Sequence, residues 1–255
     1  DGRWNLIINT PDYGPLGEDG TITFSSMDAE SSEEYKVTLV DVVVGEVWVC
    51  SGQSNMGISV GQLQENLTSW DKTISSSTSY IEASSDFPDL RFIMQATNPS
   101  DVEVYDVIAD GWYIGNATSG NIGGFSAVCY TFGLRLHEKL GVPIGLVEIQ
   151  VGGTAVELWS SKEALEKCDQ TRNTRFISTC GSKAYPPAEE DSELFEGFSN
   201  MLFEGDWREE EVNDDVTNVN STLWNGMVSP WTKMSIKGVI WYQGESNVAC
   251  NVSTN

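Results

Sequence analysis

The pattern of apolar and polar residues divides the chain into two styles of secondary structure. Between residues 4 and 39, short alternating runs are separated by Gly, Pro and Asp turns, which is typical of antiparallel strands. After Gly45 the chain contains the unbroken apolar runs VGEVWVC, DLRFIMQA, IGLVEIQ and IKGVIWYQ. Such runs predict strands that are buried on both faces of a parallel sheet. We therefore expect residues 1–44 to be the C-terminal part of an accessory β domain and residues 45–255 to begin an α/β domain.

The segment SAVCYTFGLRLHEKLG, residues 126–141, has the spacing of a helix. Its apolar positions recur every four residues, and Gly141 is a typical helix terminator. The helix would lead into the strand that begins at Ile144, as expected for a βαβ unit. The predicted apolar stripe consists of Val128, Phe132, Leu136 and Leu140.

The composition is that of a globular protein with an acidic surface. Of 255 residues, 40% are hydrophobic and nine are tryptophan, while the formal net charge is −24. This apolar content is far above that of disordered chains. The acidic balance argues against nucleic acid and anionic membrane surfaces as partners, because both attract clustered lysine and arginine. No window approaches the roughly 18 apolar residues of a membrane span.

Residues 181–220 differ in composition from the segments on either side. Twelve acidic residues stand there against Lys183 and Arg208. We interpret the segment as a solvated insertion at the surface of the α/β domain, and its spacing does not resemble a calcium-binding loop. A protein-docking or cation-binding surface is the alternative interpretation.

The cysteines and the glycosylation triplets favour a secreted, lysosomal or cell-surface protein. The number of cysteines is odd, so at least one is free or pairs outside this chain. Cys168 and Cys180 bracket a short polar loop and are candidates for pairing. The other cysteines are Cys50, Cys129 and Cys250, and the Asn-x-Ser/Thr triplets begin at Asn66, Asn116, Asn220 and Asn251.

Three of the apolar runs lead directly into glycine-rich polar stretches, SGQSNMG, VGGTAVELW and GESN. In an open parallel sheet the ends of these strands lie at one edge, where ligands bind. We therefore expect Ser54, Gly152, Gly153 and the loop 243–247 to meet. The structural alternative is that the glycines only permit turns and that the serine caps a helix.

These stretches offer most of what a serine nucleophile needs. Ser54 is expected in a tight strand-to-helix turn, with its own amide near the helix N-terminus as a donor to an oxyanion. Gly153 can bring a second amide close, because it has no side chain in the way. A carboxamide from Gln243 or Asn247 can supply a third donor. The remaining requirement is a base that takes the hydroxyl proton.

Four blocks of the sequence together resemble the sialate O-acetylesterase family, within the SGNH hydrolases. They are VVGEVWVCSGQSNM, FSAVCYTFGLRLHEKLGVPIGLVEIQVGGTAVELW, STLWNGMVSP and IKGVIWYQGESN, and they cover roughly residues 41–247. The resemblance implies a flavodoxin-like three-layer sandwich with a parallel sheet, preceded by a β-sandwich or jelly-roll-like domain. It also implies an esterase that needs no metal or cofactor.

By the same resemblance, Ser54 is the nucleophile, and the amides of Ser54 and Gly153 form the oxyanion hole. Either Gln243 or Asn247 is the third donor, and both stay as candidates. The supporting positions are Gly152, Gln53 and Glu245.

The resemblance stops before the residues that would activate the serine. The family's base is a histidine in an Asp-x-x-His block downstream of these motifs, and the sequence ends at Asn255. The only histidine here, His137, is predicted to face solvent near the end of a helix. We therefore expect Asp and His to come from a companion chain of one precursor, disulfide-linked through Cys250, or from a segment beyond this sequence. The third interpretation is an inactive relative.

The leading hypothesis is a serine esterase that removes O-acetyl groups from sialic acids or related sugars through an acetyl-enzyme. An acetylesterase for polysaccharides such as xylan is a hypothesis of the same class. An inactive glycan-binding or structural module on an esterase scaffold is the hypothesis from another class.

Overall fold

In the computed structural model the chain forms two compact units. The first consists of Asp1–Ala96, Ala109–Gln150 and Ser235–Tyr242, and the second of Thr97–Ile108, Val151–Met234 and Gln243–Asn255. The described residues are 10, 13–16, 20–27, 33–63, 81, 84–115, 122–171 and 219–248. Outside them lie residues 4–9 of the alternating segment, most of the acidic insertion, Asn66, Asn116, Asn251, Cys180 and Cys250.

Two small antiparallel pairs precede the main sheet of the first unit. Strand β1 (Gly14–Pro15) pairs with β4 (Val43–Val44), and β2 (Ile22–Met27) pairs with β3 (Glu34–Leu39). The second pair confirms the antiparallel strands predicted from the alternating pattern. Strand β3 is exposed at every position, including Tyr35 and Val37.

The main sheet of the first unit is mostly parallel. Its order is β7-β6-β8-β5-β9, and only β7 runs antiparallel to its neighbour. All four apolar runs form strands, as predicted, whereas β7 was not predicted. The bounds are Glu46–Gly52 for β5, Leu90–Met94 for β6, Tyr113–Ile114 for β7, Ile144–Gln150 for β8 and Gly238–Tyr242 for β9.

The register brings three strand ends to one edge of the sheet. Gly52 at the end of β5 pairs with Gln150 at the end of β8 and with Tyr242 at the end of β9. Parallel pairing therefore fixes where the chain leaves each of the three strands.

Burial differs between the strands of this sheet. Strand β8 is buried at every position except its last, as its apolar run predicted. Strand β9 was also predicted to be buried on both faces, and this was wrong, because Val239, Trp241 and Tyr242 are exposed. Among the described residues β9 pairs only with β5, so it lies at the edge of the sheet.

Helix α1 spans Ala127–Leu140 and confirms the predicted helix. It begins at Ser126, whose Oγ accepts a hydrogen bond from the amide of Cys129, and ends at Gly141, which adopts a left-handed conformation with φ of 66°. The predicted stripe is not the most buried face of the helix. Val128, Phe132 and Leu136 are half-buried, and Leu140 is exposed. The buried residues are Ala127, Cys129, Tyr130, Gly133 and Leu134.

Close packing explains which face of α1 is buried. A Cβ on Gly133 would lie 2.5 Å from Cδ1 of Leu146, so the helix backbone rests directly on β8. The surrounding core includes Phe92, Phe125 and Tyr130.

A disulfide bond joins the sheet to this helix. Cys50 of β5 and Cys129 of α1 are bonded, with their Cα atoms 5.8 Å apart, and both are fully buried. This pair was not predicted, since disulfide connectivity cannot be read from the spacing of cysteines alone. The pairing predicted for Cys168 involves a residue outside the described part of the chain and stays a prediction.

The second unit is built around helical turns. Helix α2 (Lys162–Thr171) and helix α3 (Glu245–Val248) belong to it, together with a π-helical turn at Trp224–Val228 and 3-10 helices at Val156–Trp159 and Ser229–Lys233. The loop 97–108 packs closely on the π-helical turn, because a Cβ on Gly226 would lie 1.6 Å from the carbonyl oxygen of Asn98. Across the described residues, no helix is both long and apolar enough to cross a bilayer.

Replacing both bonded cysteines, Cys50→Ala with Cys129→Ala, is expected to lower the free energy of unfolding by about 2–5 kcal/mol. The bond closes a sequence separation of 79 residues, so its loss gives the unfolded chain more conformational freedom. Denaturant unfolding measures the change, and non-reducing peptide mapping checks the connectivity. Ser54→Ala, at an exposed position, serves as the control with unchanged stability. A double variant as stable as the wild type would contradict the expectation.

Candidate functional site

Ser54 lies in a turn that directly follows the carboxyl end of β5. The turn is closed by hydrogen bonds from the amide of Met56 to the carbonyl of Gln53 (2.8 Å) and from the amide of Gly57 to the carbonyl of Ser54 (3.0 Å). Ser54 is exposed, and its amide has no acceptor among the described residues. An accessible hydroxyl next to an uncommitted amide is what a nucleophile that also helps to stabilise an oxyanion requires.

The prediction that Ser54 lies at the N-terminus of a helix was wrong. The helical residues begin at Val60, after a capping box in which the amide of Ser59 donates to Oε1 of Gln62 (3.0 Å) and the amide of Gln62 donates to Oγ of Ser59 (3.2 Å). Ser54 precedes this cap by five residues. The conformation of the turn, and not a helix terminus, therefore orients its amide.

Gly52 allows the chain to leave β5 into this turn. Its φ of +147° is a conformation that residues with side chains rarely adopt, and a Cβ there would lie 2.0 Å from the carbonyl oxygen of Tyr242. The same carbonyl accepts a hydrogen bond from the amide of Gln53 at 3.1 Å. Only a glycine permits this close approach of β5 to β9.

The far side of the turn is tied to the segment that enters α1. The amide of Val60 donates to the carbonyl of Phe125 (2.8 Å), and the amide of Ala127 donates to the carbonyl of Ile58 (2.7 Å). The turn is thus held at both ends by backbone hydrogen bonds to the sheet and to the start of the helix.

His137 lies at the opposite edge of the sheet from Ser54. Its Nδ1 is 2.7 Å from the carbonyl oxygen of Val142, just before β8 begins, and its ring packs edge-on against Phe87. Seven residues of β5 separate the two edges, which corresponds to about 20 Å. The expectation that His137 is not the base is supported, while the expectation that it faces solvent was wrong, since it is half-buried.

In the second unit, Gly152 and Gly153 are both exposed. Gly153 has a φ of +70°, in the left-handed region, and a Cβ there would meet no atom within 4 Å. Its amide has no acceptor among the residues that the structure describes. The glycine is therefore required by backbone conformation, and its amide is available to a ligand.

The second unit also brings the two candidate carboxamides together. Nε2 of Gln243 donates to Oδ1 of Asn247 (2.6 Å) and to the carbonyl of Thr154 (3.0 Å). Oδ1 of Asn247 also accepts from the amide of Val156 at 3.0 Å. Both carboxamides are half-buried and held in one orientation by these contacts.

Glu157 completes this network and was not anticipated. Its Oε2 accepts from Nδ2 of Asn247 at 2.9 Å, and its carbonyl accepts from the amide of Ser221. Thr154 is fixed in turn, because its Oγ1 accepts from Nε1 of Trp159 (2.9 Å) and donates to the carbonyl of Val151 (2.7 Å). The only signal in the sequence was the position of Glu157 within TAVELW, just after the second glycine-rich stretch.

The remaining predicted positions are placed as follows. Glu245 begins α3 and is half-buried. Asn220 is exposed, and its glycosylation stays a prediction. The described part of the chain contains no group of three His, Cys, Asp or Glu side chains that could hold a metal ion.

The predicted site residues are divided between the two units. Ser54 and Gln53 belong to the first unit, and Gly152, Gly153, Gln243, Glu245 and Asn247 belong to the second.

An exposed serine in a tight turn after a central strand of a mostly parallel sheet is the arrangement of an α/β-type ester hydrolase. Comparison with known families agrees with this class. Residues 44–178 match the family described as "Carbohydrate esterase, sialic acid-specific acetylesterase". The chain therefore belongs to the sialic acid-specific acetylesterase family of carbohydrate esterases.

Known relatives and a solved structure extend the similarity over most of the chain. The chain is 32% identical to a sialate O-acetylesterase of Mus musculus and 31% identical to that of Homo sapiens, in each case over 97% of its own length. It is also similar to a crystal structure of a carbohydrate acetylesterase from Xanthomonas citri, with a TM-score of 0.53 and 25% identity over 83% of this chain and 35% of the other. The chain spans 42% of the length of the mouse relative and 39% of the human one.

Gly52→Ala is expected to lower the free energy of unfolding by about 2–3 kcal/mol, because the new methyl group overlaps a backbone carbonyl that cannot move away. Thermal or denaturant unfolding measures the effect. Gly124→Ala is the matched control, since a Cβ there meets nothing within 4 Å, and its stability should change by less than about 0.5 kcal/mol. Equal stability of the two variants would contradict the role assigned to Gly52.

Proposed function

We propose that the protein hydrolyses O-acetyl esters of sialic acids or related sugars, with Ser54 as the nucleophile. The observation that carries the proposal is the exposed turn at Ser54, at the edge of the sheet where three parallel strands end, in a chain of this esterase family. The relatives named sialate O-acetylesterase support sialic acid as the sugar.

The proposed reaction has two steps. Oγ of Ser54 attacks the acetyl carbonyl carbon, its proton passes to a base, and the bond from that carbon to the sugar oxygen breaks as this oxygen takes the proton from the base and becomes a hydroxyl. Water then attacks the acetyl-serine ester, and acetate and the free serine are released. The chemistry needs a base and donors for an oxyanion, and it uses no metal or cofactor.

The amides of Ser54 and Gly153 are proposed as two of the oxyanion donors. Both are exposed and neither has an acceptor among the described residues, which supports this role. The third donor comes from the carboxamide pair of Gln243 and Asn247, whose fixed orientation suits preorganised stabilisation of charge. Gly152, Gln53 and Glu245 are supporting positions in this scheme.

The base is proposed to be a histidine supported by an aspartate, both supplied by sequence outside this chain. His137 is excluded from this role by its place at the opposite edge of the sheet. A companion chain joined through Cys250 is one way to supply the pair. Peptide mapping of the native protein distinguishes a linked companion from a continuous chain.

The finer features of the fold and the location of the protein are proposed on the same basis. We expect the first unit to be part of a three-layer SGNH sandwich preceded by an accessory β-sandwich or jelly-roll-like domain. The buried disulfide bond and the exposed Asn220 favour a secreted, lysosomal or cell-surface protein that carries glycans.

In the complete protein, Ser54→Ala should abolish release of acetate from O-acetylated sialic acid, because the variant lacks the hydroxyl proposed to attack the acetyl group. Acetate is measured directly, with acetylated xylan as the comparison substrate. Ser25→Ala, which removes an exposed hydroxyl from β2, is the control and should keep full activity. Unchanged turnover of Ser54→Ala would remove this serine from the mechanism, and preference for xylan would redirect the substrate assignment.

Steady-state kinetics of Gln243→Ala and Asn247→Ala identify the third oxyanion donor. Loss of the donor should lower kcat by about 10²–10³ with little change in KM. Loss of the other carboxamide, which only orients the donor, should lower kcat by a smaller factor. Asn98→Ala removes a carboxamide of the same unit outside this network and should keep wild-type kcat. If both network variants kept full kcat, neither carboxamide would be a donor.

A further inference from the structure

A buried carboxyl group, that of Glu148, lies on β8 and has no part in the reaction proposed above. Glu148 is only 6% exposed, and its Oε2 accepts a hydrogen bond from the amide of Ser126 at 2.8 Å. Burial raises the pKa of Glu148 to about 7, and the hydrogen bonds from Ser126 and from the side chain of Gln150 act in the opposite direction. Burial of a carboxyl group costs free energy, and Glu148 is nevertheless buried between two hydrogen-bond donors.

Ser126 connects this carboxyl group to the turn that holds Ser54. While its amide donates to Glu148, its Oγ caps α1 by accepting from the amide of Cys129 (3.2 Å) and lies 3.4 Å from Sδ of Met56. Met56 is fully buried within the turn. The hydrogen bond to Glu148 therefore holds Ser126, which contacts Met56 of the turn.

Gln150 makes the second connection. Its side chain is hydrogen-bonded to Glu148 and lies directly against the backbone of the turn, because a Cβ on Gly57 would be 2.7 Å from Oε1 and 2.8 Å from Cδ of Gln150. Gly57 closes the turn through its hydrogen bond to the carbonyl of Ser54. Two side chains that touch the turn are thus both fixed by one buried carboxyl group.

We propose that Glu148 is a positioning residue for Ser54, and that it acts by holding Ser126 and Gln150 against Met56 and Gly57. The residue does not touch the substrate. Without it, the amide of Ser126 and the carboxamide of Gln150 would lose their shared acceptor in a buried place, which is unfavourable for both groups. The turn would then be free to sample other conformations, and the hydroxyl would be less often in place for attack. The catalytic part of this inference rests on the proposed function.

The test uses the complete protein with Glu148→Leu and Glu148→Gln. The leucine variant removes the acceptor, whereas glutamine keeps a carbonyl oxygen for the amide of Ser126. Glu46→Leu is the matched control, because Glu46 is a buried glutamate at the other end of β5 and accepts from Trp48 and Lys237, far from the turn.

The first readout is hydrogen exchange at the amides of Met56 and Gly57, which needs no activity. Glu148→Leu should reduce their protection about tenfold or more, Glu148→Gln should restore most of it, and Glu46→Leu should leave it unchanged. Should Glu148→Leu fail to fold, Gln150→Met replaces it, with the same loss of protection expected. A folded variant of either kind with wild-type protection at both amides would overturn the proposal.

The second readout is the split between kcat and KM for acetate release. Glu148→Leu should lower kcat about 10–100-fold with KM within about twofold, and Glu148→Gln should recover most of the loss. Wild-type kcat in the folded leucine variant would overturn the positioning role. Inactivity of the wild type, or full activity of Ser54→Ala, would overturn the proposed function instead, and hydrogen exchange would still decide whether Glu148 holds the turn.

Discussion

The parallel pairing of β8, β5 and β9 is the constraint on which the rest of the first unit depends. Because Gly52 pairs with both Gln150 and Tyr242, the three strands end at the same level, and the chain must leave them along a single edge. The missing side chain at Gly52 makes this possible, since the carbonyl of Tyr242 occupies the space where a Cβ would lie. Backbone hydrogen bonds therefore set the position of the turn at Ser54, and side-chain contacts are added to them.

Side chains add polar and covalent contacts next to this turn, in addition to the apolar packing of the core. The carboxyl group of Glu148 fixes the start of α1 at Ser126, and the disulfide bond of Cys50 fixes the first turn of the same helix to β5. Both contacts join elements distant in sequence. A support of this kind suits the role proposed for Ser54, because a small displacement of a nucleophile lowers the rate of attack.

Much of the fold could be predicted from the sequence because its signals are local. The cap and terminator of α1 and the apolar run of β8 give their bounds to within one residue. The buried face of α1 was misplaced because a four-residue spacing drifts around a helix of 3.6 residues per turn. The helix start after Ser54 was also missed, although Ser59 and Gln62 form a recognisable capping box. The contacts of Glu148 and Glu157 join distant segments, which no local pattern encodes.

The bond between Cys50 and Cys129 has a practical consequence for making the protein. It is fully buried between a central strand and a helix, so it has to form while the chain is still folding. Synthesis in a reducing cytosol would leave two thiols inside the core and a population of incompletely folded chains. Production in an oxidising compartment, such as the endoplasmic reticulum or a bacterial periplasm, is therefore the appropriate route to native material.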